Sequence, residues 1–305
     1  MTENSQEHFE IWGFNSMASI RFVSSANVSF DLHNFDHAKL YKANFHKVDW
    51  IPEVEKKQFG VKINRFTKNP QIFQCTFRFK GDAAKRKQQI DDFMFQTEED
   101  CARVSPGRIY WNQQYIEVYF NTHDTHPVDS GMTWTEIQGE FYAPFPFWIE
   151  EQTVMIRPSG QSVEGYPENV KGYPASRGLV YGYEYAYPYA ATAVAIDVDT
   201  AIPSDYRAIV YGPTNFVQFY VSGHKYQVNY ALRSGQYMVI DSRDTTPMNR
   251  RCIVVNENGS IINVFDYRDP SSLLFQKVPN GSVVLNYSRT YGIDFTVFQE
   301  RSAPK

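Results

Sequence analysis

Alternation of apolar and polar residues with a period of two dominates the chain. In Gln71–Lys80, Phe73, Cys75, Phe77 and Phe79 fall on one side, while Gln74, Thr76, Arg78 and Lys80 fall on the other. Over 115–121, Ile116, Val118 and Phe120 alternate with Tyr115, Glu117 and Tyr119. Residues 132–141 follow the same rule and put Trp134 on a strand. This spacing predicts strands of antiparallel sheets with one wetter face. Between the first two strands the period changes. Ile90, Phe93 and Met94 form an i, i+3, i+4 stripe on a charged segment that runs to about Cys101, with Asp82 placed as its N-cap. One helix inserted between two strands is therefore expected. Pro144 and Pro146, alternating with Phe145 and Phe147, stop regular pairing and mark a boundary near residue 150.

Beyond Glu151 the character changes. Residues 160–190 are rich in Gly, Pro and Tyr, with Tyr181, Tyr183, Tyr185, Tyr187 and Tyr189 strictly alternating. Short strands with turn signals follow. Val217–Val221 and 226–231 flank Ser222-Gly223-His224-Lys225, and 252–255 and 261–265 flank a turn at 256–260. Asn280-Gly281 precedes a strand at 283–287, and 293–298 is the last strand. Many short strands with such turns predict a sandwich.

Composition agrees with the pattern. The 23 Phe, 21 Tyr and 5 Trp make 16% of the 305 residues, a bias that fits half-buried strands. The length suggests two domains, at 1–150 and 151–305, each large enough to bury a core without disulfides. Thirty basic and 34 acidic residues give a net charge of −4, which argues against a strongly basic nucleic-acid binder. The whole deficit lies in residues 1–150, with 16 basic and 20 acidic residues. Three scattered cysteines, Cys75, Cys101 and Cys252, suit reduced thiols better than a disulfide framework. No signal-like h-region is seen in the first twenty residues and no apolar run approaches 18, so neither export nor membrane insertion is expected.

Reactive motifs do not emerge. There is no Gly-x-Ser-x-Gly, no Walker A loop and no Gly-x-Gly-x-x-Gly. Asp91-Asp92 and Glu98-Glu99-Asp100 fall on the exposed face or end of the predicted helix, as a solvated surface. His33 and His37, and His123 and His126, are paired with nearby acids, but each pair lacks a third nitrogen or sulfur donor nearby, so no metal site and no cofactor is assigned. The tyrosine strip Tyr181, Tyr183, Tyr185 and Tyr187 suits a glycan or protein contact, or the packing of an ordinary sheet face. A glycosidase's dispersed carboxylates escape detection by spacing, which keeps a glycan hydrolase as a third reading. The residues favour binding or assembly over catalysis.

Several short motifs, in their order and spacing, resemble the distal tail protein (Dit) family of long-tailed phages and related prophages. In the first half they are the strand Phe73 to Phe79, the helix with Ile90-Asp91-Asp92-Phe93, the strand Tyr115 to Phe120 and the aromatic-proline end from Phe141 to Trp148. In the second half they are Tyr211-Gly212-Pro213, Ile240-Asp241-Ser242, Asn263-Val264-Phe265-Asp266, Phe275 to Gly281 and Glu300-Arg301-Ser302. The resemblance spans roughly 20–150 and 205–305 and leaves 160–205 unplaced.

The resemblance implies a mainly-β protein. It pairs a tail-tube-like β-barrel or sandwich carrying one helix with a galectin-like antiparallel β-sandwich. It also implies a non-enzymatic homo-hexameric ring in the virion tail, assembled in the host cytoplasm. The implied partners are the tail tube protein, a tail-tip or tail-associated lysin protein, and in some cases a receptor-binding protein or host saccharide. DNA would only pass through the lumen, where a basic wall would hold it back. For the ring interface the face Tyr115, Glu117 and Tyr119 is the first candidate, with an ordinary solvent-facing sheet as the alternative. Trp50, in a long segment between Leu40 and Val61 expected to clasp a neighbour as a loop, is the second. Recognition of host glycans by a galectin-like module is the alternative function.

Overall fold

The structure is a computed structural model that describes residues 19–35, 38–125, 133–158, 193–245 and 249–305. It is mainly β, as the alternation predicts, with one α-helix among the described residues. The chain forms two compact units, Met1–Glu150 with Arg301–Lys305, and Glu151–Glu300.

In the first unit β1 (Ile20–Val23) pairs with β2 (Ser29–Asp31) on one side. On the other, β1 pairs with β7 (Gly107–Trp111), which continues to β8 (Gln114–Thr125). A second run joins β3 (Lys39–Ala43), β6 (Gln71–Lys80), β9 (Trp134–Ala143) and β8, all antiparallel. β4 (Ile51–Lys56) and β5 (Val61–Thr67) form a separate two-stranded ribbon. β9 stops at Ala143, just before Pro144, and β10 (Trp148–Ile156) resumes after Pro146, so the prolines act as expected. Ile149 and Glu150 pair with Tyr115 and Gln114.

The helix α1 (Ala83–Ala102) lies between β6 and β7 in sequence and starts at Asp82, whose carboxylate accepts the Lys85 N–H at 2.8 Å. Phe93 is its buried anchor. Its ring meets Phe77 at 5.2 Å, Phe30 at 5.3 Å, Phe120 at 5.6 Å and Phe22 at 5.7 Å. Edge-to-face and tilted contacts of this kind add to the area term of burial. The core face of β6, Phe73, Cys75, Phe77 and Phe79, is buried as read from the sequence. One helix residue departs from expectation. Asp100 is buried, not solvated, and its Oδ1 accepts the Ser25 N–H at 2.8 Å. Burial raises its pKa, while the hydrogen bond from the Ser25 N–H pulls the other way.

In the second unit β12 (Asp205–Tyr211) pairs with β15 (Tyr237–Asp241) and β19 (Gly292–Arg301). β16 (Arg251–Val255) and β17 (Ile261–Asn263) extend that sheet beyond β15. A second sheet runs β11 (Ala193–Val198), β18 (Gly281–Tyr287), β13 (Val217–Val221) and β14 (His224–Val228). One core lies between them, where Tyr206 stacks on Phe295 at 5.3 Å and Phe219 on Tyr226 at 5.0 Å. The hairpin turn at 222–225 is tighter than the sequence suggests. Ser222 and Gly223 make the whole turn, both at positive φ (48° and 84°), and β14 already begins at His224. Two left-handed residues match the twist of the strands they join.

Candidate assembly interface

Antiparallel pairing of β7 with β8 sets Arg108 opposite Glu117 and Tyr110 opposite Tyr115. The Arg108 guanidinium donates to Glu117 at 3.1 Å and lies 4.5 Å over the Tyr115 ring. On the next strand, Arg21 lies 4.4 Å over Tyr110. Burial works against the Arg108 charge, but Tyr115 and Glu117 more than offset it, and its pKa is raised. The polar-aromatic face expected to be open is therefore largely occupied by β7. Tyr115 is 3% and Glu117 8% exposed, which leaves little area for a neighbour. Tyr119 is half-buried, its hydroxyl has no hydrogen-bond partner among the described residues, and burial raises its pKa.

The segment between Leu40 and Val61 is not a loop. It holds β3, the buried core residue Phe45, and β4, which pairs with β5 along its length. In this ribbon, cross-strand pairs share a face. Pro52 with Phe66, Val54 with Ile63 and Lys56 with Val61 form one face, and Ile51 with Thr67, Glu53 with Arg65 and Glu55 with Lys62 form the other. A bulge between Glu53 and Val54 keeps Ile63 with the apolar set. On the polar face Arg65 grips Glu53 with two hydrogen bonds, at 2.7 and 2.8 Å.

Among the described residues the apolar face is unpartnered: Val54 is 49%, Ile63 50% and Phe66 53% exposed. Phe59, at the tip, is exposed too. A lone two-stranded ribbon is at best marginal in water. Fully covering a Val, Ile or Phe side chain contributes about 1.5–3 kcal/mol, so a surface laid on this face would stabilise both the ribbon and the contact.

The root of the ribbon is fixed. Trp50 is exposed, yet its ring meets Phe147 edge-on at 6.1 Å. The Lys68 ammonium lies 4.4 Å from the Phe147 ring centre and 5.3 Å from that of Trp50. It donates to the Pro146 carbonyl at 2.7 Å, and burial lowers its pKa. Trp50 thus anchors the arm to the β9–β10 turn. The signal was present in the sequence: Val54, Val61, Ile63 and Phe66 alternate with charges on both sides of a turn ending in Gly60.

Tyr181, Tyr183, Tyr185 and Tyr187 lie outside the described residues, as do His37 and His126. His123 stands on β8, with its ring stacked 5.9 Å from Phe120. Among the described residues no group of three or more His, Cys, Asp or Glu is placed to hold a metal ion.

By sequence, no family model and no curated protein matches the chain. By structure, it matches SPP1 Dit, described as a paradigm of the hub adsorption apparatus in phages infecting Gram-positive bacteria. The TM-score is 0.56 at 10% identity, over 92% of this chain and 99% of that one. A chain of the phage P2 baseplate, in its activated conformation with Ca, gives a TM-score of 0.61 at 11% identity, over 95% and 100%. The same baseplate with Sr gives 0.60. The fold is that of phage Dit hub and baseplate proteins. Both compact units take part in this Dit-like fold, because the match runs over nearly the whole chain.

Proposed function

We infer that this chain is a structural phage tail protein that forms a hexameric ring, a hub joining the tail tube to the tail tip or baseplate. The observation that carries the reading is the rooted β4–β5 arm with its uncovered apolar face, on a fold shared with phage hub and baseplate proteins. Residues 1–150 serve as the ring-forming part, and residues 151–305 as an outward galectin-like sandwich. Each arm lays Val54, Ile63 and Phe66 on the next subunit. A patch that meets a different patch on its neighbour gives a head-to-tail contact, and such contacts close into rings when the rotation permits. Six-fold closure follows the family resemblance. The acidic balance of residues 1–150 suits a lumen through which DNA slides. The tail tube protein and a tail-tip or lysin protein are the expected axial partners, and the virion tail the location.

The test is a paired substitution on the arm. Val54→Asp with Ile63→Asp is expected to abolish assembly while leaving the melting temperature within about 2 °C, since both side chains are half exposed on a ribbon outside the two hydrophobic cores. Lys62→Ala, on the charged face, is the control and keeps assembly. An assembly unaffected by the Asp pair would overturn the role of the arm.

A further inference from the structure

A shallow groove of 550 Å³ opens on the second unit where the start of β13 meets the segment after β18. Its rim carries two exposed rings, Phe216 at 48% and Tyr220 at 36% exposure. The uncharged polar residues Asn215, Gln218, Ser288 and Thr290 line it as well, and no Asp, Glu, Lys or Arg does. Lys225, opposite Tyr220 on β14, is paired with Asp269 at 3.4 Å, and Arg289 lies in the same turn as Ser288 without lining the groove.

The polar groups are held in place. Tyr291, buried beneath, accepts the Gln218 N–H at 3.1 Å and donates to its carbonyl at 2.6 Å. The Gln218 amide nitrogen donates to the Tyr220 hydroxyl at 3.3 Å and to Gln227 at 3.1 Å, which leaves its side-chain carbonyl oxygen unused among the described residues. The Asn215 carboxamide has no partner among them either.

This chemistry narrows the ligand. Rings beside fixed amides and hydroxyls suit a molecule with one apolar CH face and a rim of hydroxyl groups. The lack of charge in the lining disfavours phosphates, carboxylates and cationic peptides. Strand addition by a peptide is disfavoured as well, because β13 and β18 are inner strands whose backbone groups are already paired. We propose that the Phe216–Tyr220 groove is a binding site for neutral saccharides, with the two rings as stacking platforms and Gln218 and Asn215 as hydroxyl partners. The site stands on these residues and not on the arm, so it holds whether or not the chain forms a ring.

The experiment is saturation-transfer NMR on the full chain. The probes are oligosaccharides of glucose, of galactose and of N-acetylglucosamine, with an oligomer of galacturonic acid as the charged counter-probe. At least one neutral probe is expected to give saturable transfer. Phe216→Ala with Tyr220→Ala weakens it at least tenfold, and Gln218→Ala several-fold. Phe59→Ala, an exposed ring on the other unit, leaves it unchanged. Unchanged melting temperatures show that the variants fold. Absence of saturable transfer from all three neutral probes would overturn the site. So would transfer that survives the double substitution, or tighter binding of the charged oligomer.

Discussion

Glu300 on β19 is buried 3.8 Å from the Lys277 ammonium, which also reaches Asp205 at 2.8 Å. Burial pushes the Glu300 carboxyl up to about 7, Lys277 pulls against that, and Asp205 adds to it. The folded chain therefore binds a proton that the unfolded chain releases near pH 4.5. Stability from this group is present at the acid end of that interval and is lost as pH rises through about 7. Melting temperature is expected to fall between pH 5 and 7.5, and Glu300→Gln to remove that part of the fall. Equal slopes for the two proteins would count against the burial argument. Gly139 on β9 makes a second residue-scale test. A Cβ there would stand 2.3 Å from the Phe120 ring and 2.8 Å from the Thr122 carbonyl oxygen. Gly139→Ala should cost about 1–3 kcal/mol in chemical denaturation. Side-chain environments of this kind were the least legible in the sequence. Asp100 looked like the end of a charged run, and the approach of Ser25 in the β1–β2 turn and of Gly107 on β7 buries it.

Whole elements were easier to read, because period and punctuation are local. β6 has the bounds that its alternation gave, and α1 has its expected cap. Asp82→Ala should cost about 1 kcal/mol, read as a shift in denaturation midpoint without a change in slope. The β4–β5 arm was missed for a physical reason: the bulge breaks the alternation of β5 between Ile63 and Phe66, and among the described residues nothing covers its apolar face. Hydrogen exchange tests its proposed role. Amides of 51–67 are expected to exchange fast in dilute protein and to become protected on assembly, since an isolated ribbon opens readily. Fast exchange in an assembled particle would place the contact elsewhere. Tyr115 and Glu117 are more buried than the alternation suggests, because alternation tells which side faces away from the core, not what the next strand lays over that side.

For the whole molecule, composition and strand pattern were enough to fix a mainly-β protein of two parts, and the order of short motifs pointed to the Dit-like fold that the structural matches share. Assembly was not legible in the same way, because a ring is a property of surfaces in different copies. On the proposed function, the uncovered arm makes this chain a hexamer. Light scattering of the purified chain over a wide concentration range tests it most directly. A hexamer gives a species of about 212 kDa, six copies of the 35.4 kDa chain, seen as a ring with a central hole by negative stain. A 35.4 kDa monomer at every concentration, with no ring in any image, would contradict it.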